Sequence, residues 1–279
     1  METGEGMKIV TLAENTSVSE EFKNEHGLSL YIETETHKLL FDVGASGLFA
    51  ENAKKLGVDL CEVDTLVISH GHYDHGGGLE TFLKINDKAA IYINGQAFEN
   101  HYSKRADGEA YIGLDQELFS NPRFIFLAAD FVIDDALCIF SNVQGERCCS
   151  TANADLLMEK DGLRMADDFC HEQNLIIRER NQVVLVAGCA HKGVVNILDH
   201  MASNYDMQPT VVIGGFHLYN RARKKPEAKE LIEEIGNELK KTAIIYYTCH
   251  CTGKEPYQIL KMMLGEQVNY LATGSRVII

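Results

Sequence analysis

Between Ser69 and Gly78 the chain reads Ser-His-Gly-His-Tyr-Asp-His-Gly-Gly-Gly, which sets His70, His72, Asp74 and His75 within six positions. Neutral imidazole and carboxylate are ordinary ligands for zinc, iron and manganese. In an extended segment residues two apart point the same way, so His70 and His72 are expected to grip one ion. Past the bend, Asp74 and His75 are expected to face a second. The glycines allow the tight turns and close backbone approaches of a ligand-dense loop. An ion with an open position brings the pKa of its bound water towards neutrality and yields a hydroxide nucleophile, while a second ion orients the substrate oxygen. The expected chemistry is therefore metal-dependent hydrolysis.

Such ligands need strands to deliver them. The apolar run Thr65-Leu66-Val67-Ile68 leads into the loop, and the pattern recurs in the second half of the chain. An almost purely apolar strand at residues 183–187 runs into Gly188-Cys189-Ala190-His191. A strand at 211–213 ends in Gly214-Gly215-Phe216-His217, and one at 244–248 ends in Cys249-His250-Cys251-Thr252-Gly253. His191 is the expected third ligand of the first ion, and His250 joins Asp74 and His75 at the second. His217 is placed as a ligand of the second ion or a substrate contact. Cys189, Cys249 and Cys251 offer thiolates as an alternative for zinc or iron, against the ordinary use of cysteine as a small buried filler.

Around these points the apolar periodicity predicts strands at 8–12, 28–34, 38–41, 65–68, 90–93, 124–127, 131–133, 137–140, 174–178, 269–271 and 277–279. Helices are expected at 47–56, 79–85, 194–201, 226–240 and 256–264. Residues 96–122 read as a helix plus an irregular segment, 142–162 as a loop with a surface helix or hairpin, and 167–173 mainly as a turn. No linker or sequence repeat interrupts the pattern. The expectation is one domain over residues 1–279, with 1–6 as a disordered extension.

The pattern His-x-His-x-Asp-His after an apolar strand resembles the metallo-β-lactamase superfamily. With Glu14-Asn15-Thr16, His26-Gly27-Leu28, Phe41-Asp42-Val43-Gly44, Gly188-Cys189-Ala190-His191, Gly215-Phe216-His217 and His250-Cys251-Thr252-Gly253, it resembles the branch named after 7,8-dihydropterin-6-methyl-4-(ribofuranosyl)aminobenzene 5′-phosphate synthase. The resemblance implies an α/β fold, a four-layer α/β/β/α sandwich with two mixed β-sheets flanked by helices. It implies that Asp42 supports the ligand loop, as metal-bound histidines need such partners, and that Asp74 also receives a proton from the nucleophilic water. It implies two divalent ions, zinc first and manganese or iron next. Many members carry a bridging aspartate where this chain has Gly214-Gly215, which leaves occupancy of the second position open.

Composition bounds the partners. The chain has 279 residues, 45% of them hydrophobic, and a formal net charge of −15. That charge excludes the basic footprint of a general nucleic-acid binder. No apolar run reaches the length of a membrane span and the start lacks the features of a signal peptide, so the expected location is the cytoplasm with no membrane partner. Eight cysteines without a C-x-x-C pair suit reduced thiols. The sequence assigns no oligomeric state. Within this acidic chain, the run from Arg221 through Arg223 and Lys224 to Lys225 could clamp a phosphate or be a solvated loop. The expected substrate is a small anionic molecule and the expected reaction phosphoester or phosphodiester hydrolysis. The alternatives are a pterin-pathway synthase that uses the metal as Lewis acid, and a non-hydrolytic metal-binding or redox protein.

Overall fold

A computed structural model describes residues 6–279; the expected extension therefore lies, up to residue 5, outside the described residues. The chain divides into two compact units, one formed by residues 1–98, 114–128 and 271–279 and the other by 99–113 and 129–270.

The first unit is built on a seven-stranded mixed sheet in the order Arg276–Ile278, Lys8–Ala13, Ser29–Glu33, Lys38–Phe41, Thr65–Val67, Ala90–Asn94, Phe124–Leu127. The early strands pair antiparallel, Ser29–Glu33 and Lys38–Phe41 through a turn over residues 34–37. From Lys38–Phe41 onward the strands run parallel. Parallel neighbours all end on the same side, so the ends of Lys38–Phe41 and Thr65–Val67 bring Asp42 and the His70 loop to one edge. Leu40, Leu66, Ile68, Ile91 and Ile93 join Phe49, Ala53, Leu56, Leu79 and Phe82 in one core. The last five come from the helices Leu48–Leu56 and Leu79–Ile85, so these helices cover one face of the sheet. Residues on the other face, among them Leu39, Phe41 and Val67, are buried too, which is why these strands read as continuous apolar runs. Gly57 in the left-handed region ends the first helix by capping Lys54.

The second unit repeats the design. Its seven strands run Val268–Tyr270, Ile245–Thr248, Val211–Gly214, Gln182–Val186, Gln173–Glu179, Leu137–Ser141, Phe131–Val132. Gln182–Val186, Val211–Gly214 and Ile245–Thr248 are mutually parallel. The helices Val194–Tyr205, Lys229–Leu239 and Lys254–Leu264 contribute Ile197, Met201, Ile232, Ile235 and Leu260 to a core with Leu185, Val212 and Tyr246. The second helix of this set begins later than expected, at Lys229, because Lys225–Pro226 pairs with Tyr219–Asn220 as a short ribbon.

One expectation is corrected. Residues 96–122 contain no α-helix; His101–Arg105 and Gly108–Tyr111 form a hairpin within a four-stranded sheet that also holds Leu156–Lys160 and Leu163–Ala166. The physical cause is the two-residue period: His101 and Ser103 are buried while Tyr102 and Lys104 face outward, and Arg105 pairs with Gly108 across a two-residue turn. Leu156–Lys160 and Leu163–Ala166 are the expected hairpin of the 142–162 region, extended by four residues. Among the described residues no helix is long and apolar enough to cross a membrane.

Gly71 separates the first two histidines of the loop, and a Cβ there would run into the carbonyl of Ala97. Gly71→Ala is expected to cost about 1–3 kcal/mol by overpacking, read as a lowered urea midpoint. Gly95→Ala, whose nearest contact would be an ordinary 3.5 Å, should change it by no more than about 0.5 kcal/mol.

Candidate metal centre

In the first unit one carboxylate organises the loop. Asp42 is fully buried; its Oδ1 accepts the Ser69 N–H at 2.7 Å and its Oδ2 accepts the Ser69 hydroxyl at 2.7 Å. Oδ2 also meets His75 Nδ1 at 2.6 Å. Ser69 Oγ in turn lies 2.8 Å from His70 Nδ1. With Nδ1 of both rings tied down, coordination by His70 and His75 would fall to Nε2. The rings cluster accordingly, His70 to His72 at 4.6 Å and His70 to His75 at 4.1 Å between centroids. Asp74, at the start of the helical turn Tyr73–Gly76, sets Oδ2 at 4.0 Å from His75 Nε2 and 3.0 Å from His26 Nε2. The structure thus brings His70, His72, Asp74 and His75 together with Asp42 behind them.

In the second unit the three parallel strand ends carry the remaining candidates. One donor atom from each of Cys189, His191 and His217 lies within 4.8 Å of the other two, and so do donors of Cys189, His250 and Cys251. His191 is held from several sides: its ring stacks on Phe169 at 4.4 Å, and its Nδ1 meets Asn153 Oδ1 at 3.1 Å. Its backbone N–H and that of Lys192 donate to the two oxygens of Glu172 at 2.6 and 3.0 Å. Burial pushes the Glu172 carboxyl up to about 7, against the downward pull of those amides. Both ring nitrogens of His217 are buried with no hydrogen-bond partner among the described residues. Burial would raise the Cys251 thiol, yet the Cys189 thiol and the His217 and His250 rings draw it well below the usual thiol range. Such a set of imidazole, carboxylate and thiol donors fits a divalent metal.

The backbone is strained at these points. Asp42, Ala190, His217 and His250 all adopt left-handed conformations, with φ between 50° and 58°, each costing of order 1 kcal/mol or more outside glycine.

Other candidates fall elsewhere. Arg223 is committed to Asp155, donating from Nε and Nη2 at 2.6 Å each; Arg221 and Lys224 are exposed. Sequence reasoning assigned no role to His26, Ser69 or Asn153, although His26 and Ser69 stand inside motifs it singled out, and it read Glu172 mainly as part of a turn. The turn at 167–173 holds more than a turn: Asp167 Oδ2 receives His101 Nδ1 at 3.1 Å and His171 Nε2 at 3.2 Å, and burial lowers the His171 imidazole pKa.

Comparison with known proteins agrees with this fold. A family model of the metallo-β-lactamase superfamily matches residues 24–145. Tm1679, a metal-dependent hydrolase of the β-lactamase superfamily, superposes with a TM-score of 0.81 at 30% identity over 98% of this chain and 99% of its own. The chain belongs to the metallo-β-lactamase superfamily, and its α/β fold of mixed sheets flanked by helices is the one expected. Over 97% of this chain and 96% of the relative, it is 25% identical to the 7,8-dihydropterin-6-methyl-4-(β-D-ribofuranosyl)-aminobenzene-5′-phosphate synthase of Methanocaldococcus jannaschii. An uncharacterized protein of the same organism is 27% identical over 88% of this chain and 90% of its own length.

Asp42→Ala would strip partners from the Ser69 amide and the His75 ring, at about 1–3 kcal/mol for each buried group left unsatisfied. Chemical denaturation should show a loss of roughly 2 kcal/mol or more; an unchanged midpoint would mean that the carboxylate does not organise the loop.

Proposed function

We propose that this protein is a metal-dependent hydrolase of a small anionic phosphoester or phosphodiester. The proposed metal ligands are His70, His72, Asp74, His75, His191 and His250, with His217 as a further ligand or substrate contact. The observation that carries the reading is the orientation of the buried rings: Ser69, Asp42 and Asn153 meet Nδ1 of His70, His75 and His191, so Nε2 is the atom each ring would offer a metal, as in metal sites whose outer partners fix the tautomer. Bound divalent ions, zinc before manganese or iron, supply Lewis acidity that polarises the phosphoryl oxygen and acidifies an attacking water.

The chain's own residues do the rest. Asp74 accepts the proton of the attacking water at Oδ2, and His26, at 3.0 Å from that oxygen, holds the carboxylate in place. Arg221 and Lys224 meet the phosphate, a task that suits exposed cations in a chain of net charge −15. Arg223 instead anchors their loop through Asp155. The phosphate preference is supported by the likeness to the archaeal synthase, which is named for a 5′-phosphate. That same likeness favours a second reading, a pterin-pathway synthase with the same ligands, which would turn over a dihydropterin phosphate and leave simple phosphodiesters untouched.

His72→Ala should lose at least a hundredfold in turnover of a phosphodiester panel and lower the bound metal, with far-ultraviolet circular dichroism unchanged. A variant with full metal and full turnover would sink the assignment. Replacing Arg221 and Lys224 together by alanine should raise KM for phosphorylated substrates about tenfold or more, as loss of charge-assisted hydrogen bonds implies, with neutral esters unaffected. An equal effect on both classes would remove the phosphate role of this loop.

A further inference from the structure

The second unit holds two buried cysteines among its candidate ligands, and they lie where a metal could use them. Cys189 and Cys251 come from the ends of different strands, 62 residues apart, yet one donor atom from each of Cys189, His250 and Cys251 falls within 4.8 Å of the others. Tetrahedral zinc with thiolate at about 2.3 Å and imidazole at about 2.0 Å spaces its donors by roughly 3.5–3.8 Å. The donors of Cys189, His250 and Cys251 therefore stand no more than about 1.3 Å beyond that spacing. All three side chains are buried, with Cys189 3%, His250 1% and Cys251 6% exposed.

The backbone around Cys251 is shaped to its sulfur. Its Sγ accepts the His217 N–H at 3.3 Å and lies 3.5 Å from the Cys189 carbonyl. A Cβ at position 215 would collide with that sulfur, so Gly215 is the residue that admits it. Thr252, next in sequence, accepts the Phe216 N–H at 2.8 Å and locks the two strand ends together.

We infer that Cys189 and Cys251 are thiolate ligands which, with His250, give one of the metal positions of the second unit a mixed sulfur and nitrogen donor set. The inference rests on the metal-dependent reading of the site and specifies its ligands. On binding, each thiol gives its proton to solvent and coordinates as thiolate; no electron changes hands. Thiolates make a metal position selective for zinc or another thiophilic ion over magnesium, calcium and manganese.

The test replaces the native ion with cobalt(II) in the full-length protein and reads its absorption spectrum. Wild type should show visible d–d bands together with a near-ultraviolet thiolate-to-cobalt charge-transfer band. That band should fall by about half in Cys189→Ser and in Cys251→Ser and vanish in the double variant, while Cys61→Ser, on the surface of the first unit, keeps it whole. Visible bands with no charge-transfer band in wild type would overturn the inference and leave the histidine ligands standing. Failure to take up any cobalt would overturn both the inference and the metal-dependent reading beneath it. Because the decisive spectrum is that of wild type, a variant that misfolds does not blunt the test.

Discussion

A single buried carboxylate holds the candidate chemistry of the first unit in place. Asp42 sits at the end of Lys38–Phe41, where a parallel neighbour delivers Ser69 and the histidine loop to the same edge. A buried carboxylate is costly without partners; here it has three, the Ser69 amide, the Ser69 hydroxyl and His75. Through Ser69 it also reaches His70. The left-handed backbone of Asp42 is the conformational cost of aiming that carboxylate inward, and aspartate is among the few residues that tolerate it.

The second unit meets the same requirement by other means. Its parallel strands end at Val186, Gly214 and Thr248, and each is followed within a few residues by a histidine. The absent bridging acid has a steric cause. A Cβ at Gly214, where φ is 147°, would strike the Ala187 carbonyl, and one at Gly215 would strike the Cys251 sulfur. An aspartate at either position would force the strand end apart. The space beside Gly214 and Gly215 is taken by the Ala187 carbonyl and the Cys251 sulfur.

The contiguous ligand motif and the strand-then-histidine repeats were legible because they are local: a short apolar run, a glycine, a metal-binding side chain. The α/β class followed from the family resemblance that these motifs carry. What sequence could not show are partners that meet across long separations and act on backbone or Nδ1 atoms, such as Glu172 on the His191 amide or Asn153 on its ring. The His101, Asp167 and His171 cluster is of this kind, since His101 and Asp167 are 66 residues apart. The strand His101–Arg105 was misread as helical because five residues with Tyr and Lys on the outward face carry too few apolar positions to fix a period. The phosphate role read into Arg221, Arg223 and Lys224 was divided by a contact invisible in sequence, the pairing of Arg223 with Asp155.

Metal content of the purified, unsupplemented protein tests the central claim most directly. Elemental analysis should find about two divalent ions per chain, and chelation should remove them with loss of turnover while the two hydrophobic cores keep the chain folded. A folded protein that carries no ion, takes up none and still turns over its substrate would contradict metal-dependent chemistry at these histidines.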